Sequence, residues 1–105
     1  MQATTAFSNV TAVKEHDMVE KEILIVNKLG LHARAAAKLV SLASSFRSNI
    51  DLSREGRTVN GKSIMGLMML AAGPGSRLKV IAQGSDAPQA VNELDALLKR
   101  KFDED

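Results

Sequence analysis

Cysteine, tryptophan and tyrosine are absent from this 105-residue chain, and phenylalanine occurs only three times. Without cysteine there is no disulfide to staple the fold, no thiolate chemistry, and none of the sulfur ligands of the usual zinc sites. Stability must come from a packed core. The 45% of hydrophobic residues can supply one, in a chain long enough for one domain and too short for two. Such a composition suits a cytoplasmic protein. Aromatics are missing where a nucleic-acid binder would need them. Phe46 and Phe102 fall on helical stripes and Phe7 lies in a polar leader, so no platform is left on which bases could stack. No apolar run approaches the roughly 20 residues of a membrane span. The opening MQATTAFSNVTAVKEHDMVE lacks the basic start and apolar stretch of a secretory signal.

A strong charge of one sign is also lacking: 14 Lys and Arg stand against 12 Asp and Glu. The distribution is uneven. Residues 86–105 carry three basic and six acidic side chains, which leaves that end at −3 and residues 1–85 at +5. A positive front end can attract acidic protein surfaces.

Residues 1–18 are polar, rich in Thr, Ser and Ala, and without periodicity, which predicts a poorly ordered extension ahead of one domain over 19–105. Residues 22–27 (EILIVN) form a β-branched apolar run and predict a strand. After the Lys28-Leu29-Gly30 turn, Ala36, Leu39, Val40, Ala43 and Phe46 recur at helical spacing over 33–46. Residues 49–53 and 57–60 flank Glu55-Gly56 as a hairpin would. Residues 63–70 (SIMGLMML) predict a short apolar helix with Ser63 as its N-cap, stopped by Gly73-Pro74-Gly75. Leu78 and Val80 alternate along a strand over 77–82. The last helix opens on Asp86, with Gln89 three residues later in the manner of a capping box, and presents Ala87, Ala90, Val91, Leu94, Leu97, Leu98 and Phe102 as one stripe. The order βαββαβα, helices interleaved with a hairpin, argues for an α+β sandwich: one antiparallel sheet covered on one face by helices.

Of the two histidines, His16 lies in the polar extension and His32 lies between a glycine turn and a helix start. The first turn of a helix presents unpaired backbone N–H groups and the positive end of the macrodipole, so an anion placed there is stabilised. A neutral imidazole nitrogen can attack phosphorus, and the guanidinium of Arg34 can grip phosphoryl oxygens as a planar fork. These residues alone also fit a simple surface or cap histidine. The second cluster, Gly61 to Leu70, is apolar after Ser63 and contains three Met. Core packing would account for some of it. A helix this apolar on an open sandwich must still expose part of its surface, and adaptable Met and Ile side chains there suit docking.

Leu29-Gly30-Leu31-His32-Ala33-Arg34, followed 31 residues after the histidine by Ser63 in Lys62-Ser63-Ile64-Met65-Gly66-Leu67-Met68, resembles the HPr family of phosphocarriers of the phosphoenolpyruvate-dependent phosphotransferase system. The resemblance spans about Val19 to Phe102. It implies an open-faced β-sandwich of four antiparallel strands and three helices. It also implies a phosphoryl acceptor at Nδ1 of His32, stabilisation of the phosphoryl group by Arg34, and regulatory phosphorylation at Ser63. Leu31, Ile64, Met65 and Met68 would bind partners: enzyme I as donor, IIA proteins as acceptors and, where present, an HPr kinase/phosphorylase. The implied protein is a monomeric carrier rather than a stand-alone enzyme, with no cofactor and no metal. Its nitrogen-branch relative NPr, which serves a regulatory relay, is the alternative, and Asn27-Lys28-Leu29-Gly30 and the ending Phe102-Asp103-Glu104-Asp105 suit it. One position departs from the usual pattern: Ala35 stands where many members have proline. Alanine keeps the N–H that proline lacks.

Overall fold

The computed structural model describes residues 18–104. The elements are β1 (Met18–Leu24), α1 (Ala33–Ser44), β2 (Asn49–Arg54), β3 (Arg57–Asn60), α2 (Ile64–Met69), β4 (Arg77–Gln83) and α3 (Ala87–Lys99), followed by a left-handed turn at Lys101–Asp103. The strands form one antiparallel sheet in the order β1-β4-β2-β3. Packing α3 on β1 and β4, and α1 against α2 and α3, closes one face and leaves the other open. Residues 1–17 of the expected extension lie outside the described residues, whereas Met18 already pairs with Gln83.

Alternation decides which face is which. Ile23 and Ile25, Ile50 and Leu52, and Leu78, Val80 and Ala82 point inward and are buried, while Glu20, Glu22, Arg77 and Lys79 line the open side. The predicted strand over 22–27 sits four residues too late at its start. Val19 to Glu22 is too polar to stand out as an apolar run, yet it pairs fully with β4. At the other end, Arg77 is the first residue of β4, so Ile25 bonds instead to the preceding loop, donating to Ser76 and accepting from Gly75. Glu55 and Gly56 both have left-handed φ, the geometry of a tight hairpin.

The capping box expected at α3 does not form. The Asp86 carboxylate makes no cap bond to its own helix; it accepts from the backbone N–H groups of Arg47 and Ser48 and from the Ser48 hydroxyl. Gln89 bonds Glu93 instead. The loop after α1 has donors of its own that need acceptors, and Asp86 satisfies them at long range. The stripe on α3 is buried as read, through Leu98 and on to Phe102.

Asp95 lies on the sheet-facing side of α3 and is largely buried. Its carboxylate is 2.7 Å from Lys21 Nζ of β1 and 3.1 Å from Lys99 Nζ. Burial pushes its pKa up, but hydrogen bonds and charge from Lys21 and Lys99 outweigh burial and hold it below the ordinary carboxylate value. A depressed folded pKa stabilises above the unfolded value, and that contribution is lost as pH falls through the carboxylate range. Asp95→Asn is expected to lower stability by about 1–2 kcal/mol near neutrality, since the lysines are themselves well exposed. Thermal melts should show the gap from wild type closing below roughly pH 4. A gap of constant size across that range would mean that shape, not charge, holds Asp95 in place.

Candidate functional site

His32 is the N-cap of α1, in extended conformation, and its side chain does not cap the helix. The backbone N–H groups of Ala33, Arg34 and Ala35 have no acceptor among the described residues; the first intrahelical bond runs from Ala36 N–H to the His32 carbonyl. An imidazole thus stands beside a set of free donors and the positive helix end. Ala35 contributes the third of those donors, and its side chain is fully buried. Arg34, on the exposed side of the same turn, lines one cleft with Lys28, Leu29, His32 and Glu104.

The loop before His32 is held tightly. Gly30 has φ +67, and a Cβ there would lie 2.7 Å from the Ala72 carbonyl oxygen and 2.8 Å from Gly73 Cα. Leu31 N–H donates to that same carbonyl at 2.8 Å. The segment after α2 therefore fixes the approach to His32. The same arrangement corrects the expected role of Leu31. Its side chain is 5% exposed and belongs to the core, so it has no area to offer a partner. Leu29, 70% exposed, carries the apolar surface beside the cleft.

Ile64, Met65, Met68 and Met69 are exposed, Met65 at 75%, while Leu67 and Leu70 are buried. Helix α2 thus splits its apolar residues between core and surface. Ser63 caps α2, its Oγ accepting from Gly66 N–H at 3.0 Å.

Two residues of the site were not read as site residues from the sequence, although both lie in segments that suit the NPr relative. Glu104 reaches His32 from the far end of the chain, with Oε2 2.8 Å from Nε2. Its Oε1 accepts from Asn27 Nδ2 at 2.7 Å, and that fully buried amide also donates to the Gly30 carbonyl. Hydrogen bonds from Asn27 and then His32, aided by the charges of His32 and Lys38, hold the Glu104 carboxyl below its ordinary pKa against some desolvation. The turn that delivers Glu104 is unusual, because Lys101, Phe102 and Asp103 all have left-handed φ without a glycine. Such residues cost roughly 1–2 kcal/mol each. Burying Phe102 completely returns about 3 kcal/mol, so side-chain contacts must supply the rest. Lys38 Nζ donates to the Phe102 carbonyl at 2.6 Å, and Arg100 pairs with Asp103 at 2.9 Å.

An imidazole at an uncapped helix end, sharing a cleft with an arginine on an open-faced sandwich whose α2 exposes apolar side chains, is the arrangement of a small phosphoryl-carrier domain. Residues 19–100 match the family model described as "PTS HPr component phosphorylation site". The chain is 51% identical over 88 residues to the phosphocarrier protein HPr of Xylella fastidiosa strain 9a5c, covering 84% of this chain and 99% of that protein. It is 42% identical over 86 residues to the phosphocarrier protein NPr of Shewanella violacea, covering 82% and 94%. The crystal structure of HPr-C-His from Thermoanaerobacter tengcongensis superposes with a TM-score of 0.80 at 44% identity, covering 83% of this chain and 98% of that one. The chain belongs to the HPr family of phosphocarrier proteins of the phosphotransferase system. Another structure from T. tengcongensis, 45% identical with a TM-score of 0.65 and covering 76% and 92%, is of an HPr dimer.

Gly30→Ala should damage both stability and site. The added methyl meets backbone, which cannot swing away, at a left-handed φ. A loss of about 2–3 kcal/mol in urea unfolding is expected, together with shifted amide resonances from 29 to 34 and from 71 to 74. Wild-type stability would show that the close approach to Ala72 is not rigid.

Proposed function

We propose that this chain accepts a phosphoryl group from phosphorylated enzyme I on Nδ1 of His32 and passes it to IIA proteins. The observation that carries this reading is the position of His32 at the uncapped N-terminus of α1. Nε2 is engaged with a carboxylate that can only accept, so in the neutral ring Nε2 carries the proton and Nδ1 the lone pair. As Nδ1 attacks, the bond from phosphorus to the donor nitrogen breaks. The transferred group then meets the helix N–H groups and the Arg34 fork. Positioning and aimed donors supply the catalysis. Leu29, Ile64, Met65, Met68 and Met69 form the partner surface, read by apolar contact. The carrier is proposed to work as a monomer in the cytoplasm, as the family resemblance implies. The NPr relative fits the same geometry, and the choice between sugar and nitrogen branches rests on which IIA protein accepts the group.

His32→Ala should keep the fold and abolish acid-labile labelling by phosphoenolpyruvate and enzyme I, read by intact mass before and after acid. Arg34→Ala should slow transfer by about 10- to 100-fold with unchanged circular dichroism, and Arg34→Lys should recover only part of the rate, because an ammonium cannot grip two oxygens at once. Undiminished labelling of His32→Ala would overturn the proposal.

Ser63 is, in this reading, also a control point. Phosphate on its Oγ would put about −1.5 to −2 charges beside Ile64, Met65 and Met68. Desolvating that charge against an apolar partner is costly. Ser63→Asp should therefore slow transfer from enzyme I while leaving the melting temperature close to wild type, since an aspartate can still cap α2. A collapse in stability would make Ser63 a purely structural cap, and an unchanged rate would remove its effect on docking.

A further inference from the structure

In accepting a phosphoryl group an imidazole is the nucleophile; in donating it onward the imidazole becomes the leaving group. When the bond from Nδ1 to phosphorus breaks, its electron pair returns to Nδ1. If Nε2 still holds a proton, the ring departs as neutral imidazole. If Nε2 has lost it, the ring must depart as imidazolate, a far poorer leaving group. A carrier that must discharge at neutral pH therefore needs something to keep the Nε2 proton in place while the ring is phosphorylated.

We infer that Glu104, itself held by Asn27, is the positioning residue that keeps the Nε2 proton on His32 through both halves of the cycle and so sets the pH range over which the carrier discharges. The inference rests on phosphoryl transfer through His32. Its geometric basis is the chain of contacts from the buried Asn27 amide through Glu104 Oε1 and Oε2 to His32 Nε2, at 2.7 and 2.8 Å. Asn27 has no exposed surface and cannot move aside, and its second amide hydrogen bonds to the Gly30 carbonyl two residues before His32. Glu104 is aimed from the opposite side by the left-handed turn, the buried Phe102 and Lys38. The carboxylate thus meets the ring at a set angle rather than as a loose surface charge. Only 14% of its side chain is exposed, so water competes weakly for it.

Both transfers balance without a proton leaving the ring. Nδ1 attacks with its lone pair, the phosphorylated ring is cationic with its proton on Nε2 opposite the Glu104 anion, and discharge restores the starting tautomer. Other charges around the ring and its carboxylate are Lys28 from the ring's own loop and Arg34 from α1, which line the same cleft, and Lys38 from α1, which acts on Glu104; all are positive and oppose a ring cation, and the loop 71–76 packed against the site has no titratable side chain. Arg100 and Asp103 of the tail neutralise each other. Glu104 is the one described anion placed to offset the cations.

Glu104→Gln separates this role from simple packing. A glutamine keeps the size, but it carries no charge and can either accept from Nε2 or donate to it. Wild type and variant would be phosphorylated with enzyme I and phosphoenolpyruvate, and discharge to a IIA acceptor followed from pH 5.5 to 9, with thermal melts alongside. The variant is expected to discharge closest to the wild-type rate near pH 5.5. Its rate should fall away at a pH about one unit lower than wild type, leaving it roughly tenfold slower near pH 8. Asn27→Ser, which retains a donor but not the reach, should shift the profile in the same direction by less. Superimposable profiles, or a uniform slowing at every pH, would overturn the role of Glu104 while leaving His32 as acceptor. Failure of wild type to become phosphorylated would overturn the underlying reading itself.

Discussion

The first turn of α1 presents backbone donors that the His32 side chain leaves uncovered, and the rest of the molecule is arranged around keeping them so. A helix end normally recruits a serine, aspartate or similar side chain to satisfy those groups. Here the N-cap position is occupied by a ring turned elsewhere, tied through Nε2 to the tail of the chain. The cost of leaving donors open is local. What offsets it is distributed: a glycine loop pressed against the segment after α2, an alanine-rich helix sunk into the core, and a tail anchored by Phe102.

The open-faced sandwich suits that arrangement because one face of the sheet needs no cover. All the helices are gathered on the other face, so the N-terminus of α1 and the exposed side of α2 belong to one layer. The Ala72 carbonyl links them directly, receiving Leu31 N–H at the end of the segment that follows α2. The exposed methionines of α2 are therefore joined through one short segment to the loop that carries His32.

Much of this was legible in the sequence, and the parts that were not have a common cause. The places of His32 at the start of α1 and Ser63 at the start of α2 were readable because the signals for a helix start are local: a glycine turn, a cap residue, then apolar spacing; their roles, and that of Arg34, came from the family resemblance. The apolar surplus of α2 was readable by counting. Glu104 and Asn27 were not. They lie 72 and 5 residues from His32 in the chain, and the turn that brings Glu104 back uses three left-handed residues with no glycine to announce it. Asp86 misled for the reverse reason: a sound local signal for a capping box was overridden by unmet donors 38 and 39 residues away. Leu31 and Leu29 differ only in which side of a tight turn they occupy, and composition cannot decide that.

The ring is proposed to work with phosphorus on one nitrogen and a proton held on the other. The direct measurement is long-range proton–nitrogen correlation NMR of the chain with ¹⁵N-labelled histidine, recorded before and after phosphorylation by enzyme I and phosphoenolpyruvate. His32 is expected to carry its proton on Nε2 in both states and the phosphoryl group on Nδ1 in the second, with His16 unchanged. A phosphoryl group on Nε2, where Glu104 now sits, or a ring protonated mainly on Nδ1 before reaction, would contradict it.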